Sequence, residues 1–486
     1  MFDPREPVLA GGLLDGLPPV LAIPDALEQI RAENERTGTR VAVLDDDPTG
    51  TQTVAGVPVL TEWSVADLRW ALGRGPGVFF VLTNTRGISP DAARGRNAEI
   101  AANLAAAADA VPVRIVSRCD STLRGHYPLE TDVHEAARAY DGLLFSPAYL
   151  SAGRITVDDV HWNRRGERLV PIATTEYARD ATFGYRSSNL RAFVLEKTGA
   201  RWNPGDIGSL SLNTIRSGGP EAVCERLLDV RGCRPVIVNA AAEQDLEVVA
   251  LGVHLAERRG RRFLHRSGPS LVRVLGGLAM TPPLRHEQLY PRGPRPGHGL
   301  VVVGSHVGHS TRQVAELLEL PGLTTVELDV PALLATGDTT SVAAKVTAAL
   351  ASSDVLISTS RELVVGDTPS ESLTIAGRVS RALVEIVAAA HATAPLRFVV
   401  AKGGITSSDV ATSALRIRRA EVLGQLFPGM VSVWLTADGE ADAGLPFVVF
   451  AGNVGETSAL ADAVTLLRGD RHLEFPIEVE QPCVTH

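Results

Sequence analysis

Val41-Ala42-Val43-Leu44-Asp45-Asp46-Asp47-Pro48-Thr49-Gly50-Thr51-Gln52 sets an apolar run directly against three carboxylates and a Pro-Thr-Gly turn. The four apolar residues, two of them β-branched, predict a short buried strand. In open α/β sheets the loops at strand ends are free of packing duty and commonly hold ligands. Three adjacent carboxylates repel one another, so the cluster costs stability unless a metal, a hydroxyl or a basic side chain meets it. A solvated acidic turn with an aspartate capping the next helix would read the same locally. The rest of the chain has to decide.

Working outward, the same pattern recurs. Val78–Leu82 predicts a second strand, ending in Thr83-Asn84-Thr85-Arg86-Gly87, with a helix from Pro90 to Ala110. Val113–Val116 predicts a third, ending in Ser117-Arg118-Cys119-Asp120-Ser121-Thr122-Leu123-Arg124-Gly125, and Leu143–Phe145 a fourth. Strand, polar loop and helix in repetition are the signature of a parallel doubly wound sheet. Residues 150–215, which include Gly153-Arg154, are irregular, polar and Arg-rich and read as an excursion able to cover a site. Val236–Ala240 returns to the strand pattern, and Asp245–Arg258 predicts a helix.

The Pro- and Gly-rich stretch from Tyr290 to Gly299 reads as an interdomain linker. A second α/β unit follows, with strands at Leu300–Val303, Thr324–Leu328, Val355–Ser358, Phe398–Ala401, Val431–Leu435 and Phe447–Phe450. Its clearest helix runs from Ile375 to His391. The expected organisation is an α/β fold of two domains, each an open mostly parallel sheet flanked by helices. An N-terminal extension covers residues 1–38, with a helix between Pro24 and Asn34. The first domain covers 39–289, the linker 290–298 and the second domain 299–486.

The 486 residues are too many for one ordinary core. Basic residues number 47 and acidic 56, both spread along the chain, a balance that argues against a nucleic-acid partner. The four cysteines, Cys119, Cys224, Cys233 and Cys483, show no CxxC spacing. They form neither a zinc motif nor a disulfide framework, which points to a reducing compartment. No run of 18 apolar residues is present, and the N-terminus lacks the basic-then-apolar order of a signal peptide. A cytoplasmic protein with no membrane partner is expected, with a homo-oligomer left open.

Three loops of the first half carry more polar chemistry than solubility needs: Asp46, Asp47 and Thr49 on the first, Asn84 and Arg86 on the second, Asp120, Ser121, Thr122 and Arg124 on the third. A carboxylate within reach of a substrate hydroxyl can act as general base. An arginine gives a bidentate grip on a carboxylate ligand. Together they suit a small hydroxy acid, although Arg86 or Arg124 alone reads more readily as an ordinary ion-pair partner. In the second half, Lys402-Gly403-Gly404-Ile405-Thr406-Ser407 and Gly452-Asn453-Val454-Gly455 each sit between a strand and a helix. Glycines there let backbone N–H groups approach phosphate oxygens. Neither matches a Walker A or dinucleotide fingerprint. Either alone could be a tight turn, but the pair, with Gly304-Ser305, favours a phosphate or nucleotide site.

These residues resemble the four-carbon acid sugar kinases, a two-domain group related to threonate, erythronate and 3-oxo-tetronate kinases. The family's Asp-Asp-x-Thr-Gly loop is matched by Asp46-Asp47-Pro48-Thr49-Gly50. Its Lys-x-Asp-Ser-Thr-Leu-Arg-Gly segment is matched from Arg118 to Gly125, with an arginine that keeps the charge but not a deprotonatable amine. The segments at Thr156–His161, Thr175–Asp180, Gly304-Ser305, Lys402 and Gly452 also resemble the family's. The resemblance implies ATP-dependent phosphorylation of a terminal hydroxyl on a four-carbon sugar acid, with Mg²⁺ bridging the phosphates. It implies nucleotide contacts at Ser305, Gly403, Gly404, Ile405, Thr406, Gly452 and Asn453. The acid site would draw on Asp46, Asp47, Asp120 and Arg124, with Arg86 added from the loop reading. Asp47 and Asp120 are the candidate catalytic residues; metal ligands are not legible.

A rival starts from the same loop. Asp45-x-Asp47-x-Thr49 also resembles the first motif of haloacid-dehalogenase-type phosphatases, and Val81-Leu82-Thr83-Asn84 their second. On that reading Asp45 is the nucleophile. The first domain offers no convincing later acidic metal motif, however, and the second domain would have no task. A non-catalytic sensor of sugar acids and nucleotide is a third reading.

Overall fold

The opening run is strand β1 (Arg40–Asp45), buried at every position after Arg40. Its unbroken apolar pattern is that of a strand covered on both faces. The computed structural model describes residues 3–75, 77–304, 308–360, 364, 368–452 and 454–470. In it β1 joins β2 (Val57–Leu60), β3 (Val78–Leu82), β4 (Val113–Arg118), β5 (Gly142–Ser146), β6 (Gly208–Leu210), β7 (Arg234–Val238) and β8 (Phe263–Ser267) in the order β6-β7-β5-β8-β4-β1-β3-β2. All these pairings are parallel. Adjacent strands β4, β1 and β3 therefore place their three carboxyl-end loops side by side. Those are the loops of Asp120, Asp47 and Arg86.

The second half contributes β9 (His298–Val303), β10 (Leu323–Leu328), β11 (Asp354–Thr359), β12 (Leu396–Lys402), β13 (Arg419–Phe427), β14 (Met430–Thr436) and β15 (Pro446–Phe450). Their order is β13-β14-β15-β12-β9-β11-β10. The β13–β14–β15 pairings are antiparallel and the remainder parallel. The two sheets are not separate, as the sequence suggested. β2 pairs antiparallel with β13, Leu60 opposite Arg419 and Val57 opposite Val422, giving one 15-stranded sheet.

This join reverses the strand direction of the second half. Adjacent strands twist by about 20–25°, so the six steps from β1 to β12 accumulate about 120–150°. A twist of that size offsets most of the reversal, and the loops after β1 and β12 line one cleft. Cross-links fix the join. Arg419 Nε donates to Asp67 Oδ1 at 2.7 Å, and Trp434 Nε1 donates to Thr51 Oγ1 at 2.9 Å. Thr51, in the opening loop, also shares a 2.8 Å hydroxyl contact with Ser432.

The excursion is less irregular than its composition suggested. Arg154–Val157, Val160–Arg165 and Arg168–Pro171 form an antiparallel sheet with Val8–Leu9 on its edge. A backbone bridge from Thr156 to Ala240 ties this small sheet to the main body. In the N-terminal extension the helix is Ala26–Thr37, a turn later than read. It packs on the first domain through the buried Ile30 and through Asn34, whose Nδ2 donates to Leu275 O at 2.9 Å. Among the described residues no helix is long and apolar enough to cross a membrane.

Candidate active site

The three carboxylates at the end of β1 and in the loop after it are met by two arginines. Arg86 Nη2 lies 2.5 Å from Asp46 Oδ1, and its Nη1 lies 3.1 Å from Asp47 Oδ2. Arg118 Nη1 lies 3.0 Å from Asp45 Oδ1 and 3.6 Å from Asp46 Oδ1. The cluster is thus neither a solvated turn nor a bare repulsive one. Arg118, at the position matching the family's lysine, supplies one of the two counter-charges.

The carboxylates differ in what they face. A cleft of about 380 Å³ is lined by Asp47, Arg86, Arg118, Asp120 and Arg124 from the first half and by Gly404 and Gly452 from the second. Asp45 and Asp46 are each 1% exposed and do not line it. Asp46, expected to touch the acid, instead lies beneath the wall and holds Arg86. Asp45, the nucleophile of the rival reading, packs against Gly50: a Cβ there would fall 1.8 Å from Asp45 Oδ2. That oxygen has no hydrogen-bond partner. Burial pushes the Asp45 carboxyl up to about 7; the Arg118 charge opposes the rise, and Asp46 and Asp47 add to it.

Asp47 and Asp120 behave oppositely. Burial raises each, but for Asp47 the charges of Arg86 and Arg118 and hydrogen bonds from Thr49 outweigh it. The Thr49 N–H donates at 2.9 Å. For Asp120 burial is outweighed by Arg86, Arg124 and Thr122, which hold it well below the usual carboxylate range. Arg124 Nε donates to its Oδ2 at 2.6 Å. Both are ionised, and both are on the cleft wall.

Asp47 is also where the halves meet. A Cβ on Gly404 would fall 3.2 Å from Asp47 Oδ2. Gly403, at φ +115°, makes the turn out of β12, and Gly404 opens the short helix Gly404–Asp409. Of the other expected nucleotide contacts, Ile405 is 65% exposed and off the cleft wall. The Thr406 hydroxyl stands 2.5 Å from where a Cβ on Gly304 would fall, over the end of β9. Ser305 and Asn453 lie outside the described residues. Lys402 is fully buried behind the Gly452 turn, with Nζ donating to Ala451 O at 3.2 Å, and burial pulls its amine down to about 7.

Among the cleft residues that went unread as site residues are Arg154 and Tyr177 from the excursion and Tyr149 just before it. Tyr177 lies in the Thr175–Asp180 segment that resembles the family's, whereas for Arg154 the Arg-rich texture of the excursion was the available signal. Among the described residues no three His, Cys, Asp or Glu side chains converge as a preformed metal cage.

A carboxylate-and-arginine site in one α/β domain thus faces glycine turns in another. Two family models match the chain: a sugar-binding N-terminal domain over residues 41–275 and a nucleotide-binding C-terminal domain over 300–460. The chain belongs to the four-carbon acid sugar kinase family, whose architecture is this pair of domains. No curated protein matches it. A crystal structure from Salmonella typhimurium LT2, described as a candidate tRNA synthase, is similar at a TM-score of 0.66 and 18% identity, covering 87% of this chain and 98% of that one. A Haemophilus influenzae structure of the DUF1537 family is similar at 0.62 and 17%, covering 88% and 100%. At those identities the likeness shows the fold.

Proposed function

We propose that the protein transfers the γ-phosphoryl group of ATP to a terminal hydroxyl of a four-carbon sugar acid of the threonate, erythronate or 3-oxo-tetronate type. The observation that carries this reading is that ionised Asp47 and the Gly404 turn line one cleft from opposite halves, with little room for a side chain between them. An acceptor hydroxyl held by Asp47 would face a phosphate cradled at Gly404 and Gly452. Phosphoryl transfer depends mainly on positioning and charge neutralisation. Asp47 orients the hydroxyl and takes its proton as the bond to phosphorus forms. Arg86 holds Asp47 in place, and Asp120, fixed by Arg124 and Thr122, accepts a hydrogen bond from a second hydroxyl.

The wall also suits Mg²⁺, which is bound with nucleotides through one or two carboxylates plus phosphate oxygens and water. Asp47 and Asp120 each accept three hydrogen bonds and keep acceptor capacity toward the cleft. Mg²⁺ would supply charge neutralisation on the transferred phosphate.

The test is ADP release from ATP and Mg²⁺ across a panel of D- and L-threonate, D- and L-erythronate and their 3-oxo forms. Turnover dependent on one of these acids is expected. Saturable binding without turnover would favour the sensor, and acid-independent phosphate release would overturn the reading. Asp45→Asn is expected to retain phosphorylation within about tenfold, because Asp45 does not reach the cleft. Loss of turnover in a folded Asp45→Asn protein would restore the phosphatase reading.

A further inference from the structure

Among the described residues four arginines reach the cleft, and three already have carboxylates: Arg86 with Asp46 and Asp47, Arg118 with Asp45, and Arg124 with Asp120. Arg154 is different. Among the described residues no aspartate or glutamate pairs with it. Its Nη1 makes a 3.3 Å hydrogen bond to Ser121 Oγ, and its Nε is shielded from solvent without a partner. The guanidinium carbon lies 5.9 Å from the ring centroids of both Tyr149 and Tyr177. Tyr149 is itself pinned, its hydroxyl donating to Gly429 O at 2.6 Å and lying 3.0 Å from the side-chain amide of Gln52. Arg154 opens the strand Arg154–Val157, and its backbone exchanges two hydrogen bonds with Tyr149, at 2.9 and 3.0 Å.

We propose that Arg154 is the anchor for the substrate's carboxylate, and that Arg86 and Arg124 instead fix the ionisation and placement of Asp47 and Asp120. This rests on the sugar-acid reading above. An arginine bonded to an aspartate has spent donors and a neutralised field. A partly desolvated arginine with open donors and no counter-ion favours an incoming anion, and its planar fork matches a carboxylate. The aromatic rings hold the plane by cation–π contact without competing for its N–H groups. The anion is assigned as the acid's carboxylate rather than an ATP phosphate because Arg154 is bonded to Ser121 of the first domain. The glycine turns belong to the second.

The experiment compares wild type, Arg154→Gln and Arg154→Lys on a turned-over tetronate and on the matching tetritol, in which CH₂OH replaces the carboxylate. Arg154→Gln is expected to raise KM for the acid about 10–100-fold, leaving KM for the tetritol and for ATP unchanged. The preference for acid over tetritol then collapses, and Arg154→Lys restores part of it. Equal rises for acid and tetritol would overturn the anchor in favour of a structural role, and a rise confined to ATP would assign the side chain to phosphate. Calorimetric binding of threonate and erythronate without nucleotide separates this proposal from the kinase reading. Binding lost in Arg154→Gln without turnover in wild type supports the anchor and overturns the kinase; equal binding overturns the anchor alone.

Discussion

Asp47→Asn lowers kcat by about 10²–10⁴-fold, the span of a removed acid–base group, while the unfolding midpoint stays near that of wild type. The amide is isosteric and can still accept from Thr49, whose N–H and hydroxyl both bind Oδ1. It loses the negative charge that Arg86 answers at 3.1 Å and that would receive the hydroxyl proton. Steady-state kinetics with saturating acid and ATP read the effect directly. A loss below tenfold would remove Asp47 from the chemistry. The pH dependence is a companion check. Asp47 and Asp120 are both held below their ordinary value, near 3.9, so neither takes up a proton between pH 7 and 5. No acid limb in that window should be assignable to them.

Arg118→Met is the largest expected loss of stability, about 3–5 kcal/mol at pH 9, because it leaves buried carboxylates without their counter-charge. The pH trend identifies the cause. A carboxyl whose folded pKa lies above its unfolded value costs stability that grows as pH rises from the unfolded value to the folded one. For Asp45 that window runs from about 4 up to about 7, and Arg118 is the charge that keeps it from extending higher. Removing Arg118 moves the upper end up, so the Asp45 share of the deficit is absent at pH 6 and present at pH 9. Urea unfolding at both pH values checks this. A deficit that does not change with pH would assign Arg118 a packing role only.

Much of the fold was legible because its parallel strands are buried on both faces and read as plain apolar runs, as β1, β3 and β9 do. β8 was not, because His265 and Arg266 interrupt it. Both are fully buried, and Arg266 is held by Ser117 Oγ at 2.7 Å and Glu130 Oε2 at 2.5 Å. β13 was hidden by its alternating charges and by the register shift between Val422 and Gly424. Its pairing with β2, which merges the sheets, depends on register between segments some 360 residues apart and has no local signature.

The site was legible by loop and not by residue. Asp45, Asp46 and Asp47 are chemically identical in sequence, and only the backbone path decides that the third faces the cleft. The arginines show the same limit. Arg86 and Arg124 stood in conspicuous loops and line the cleft paired with aspartates, whereas Arg154 stood in a segment read only as a cover and arrives by way of the small antiparallel sheet.

The most direct measurement is phosphorus NMR of the protein mixed with ATP, Mg²⁺ and the tetronate panel. The expected result is a new phosphomonoester resonance coupled to the terminal CH₂ protons of one acid, growing in step with ADP. Growth of inorganic phosphate alone, or an unchanged spectrum under saturating conditions, would contradict transfer to a sugar acid across the cleft lined by Asp47 and Gly404.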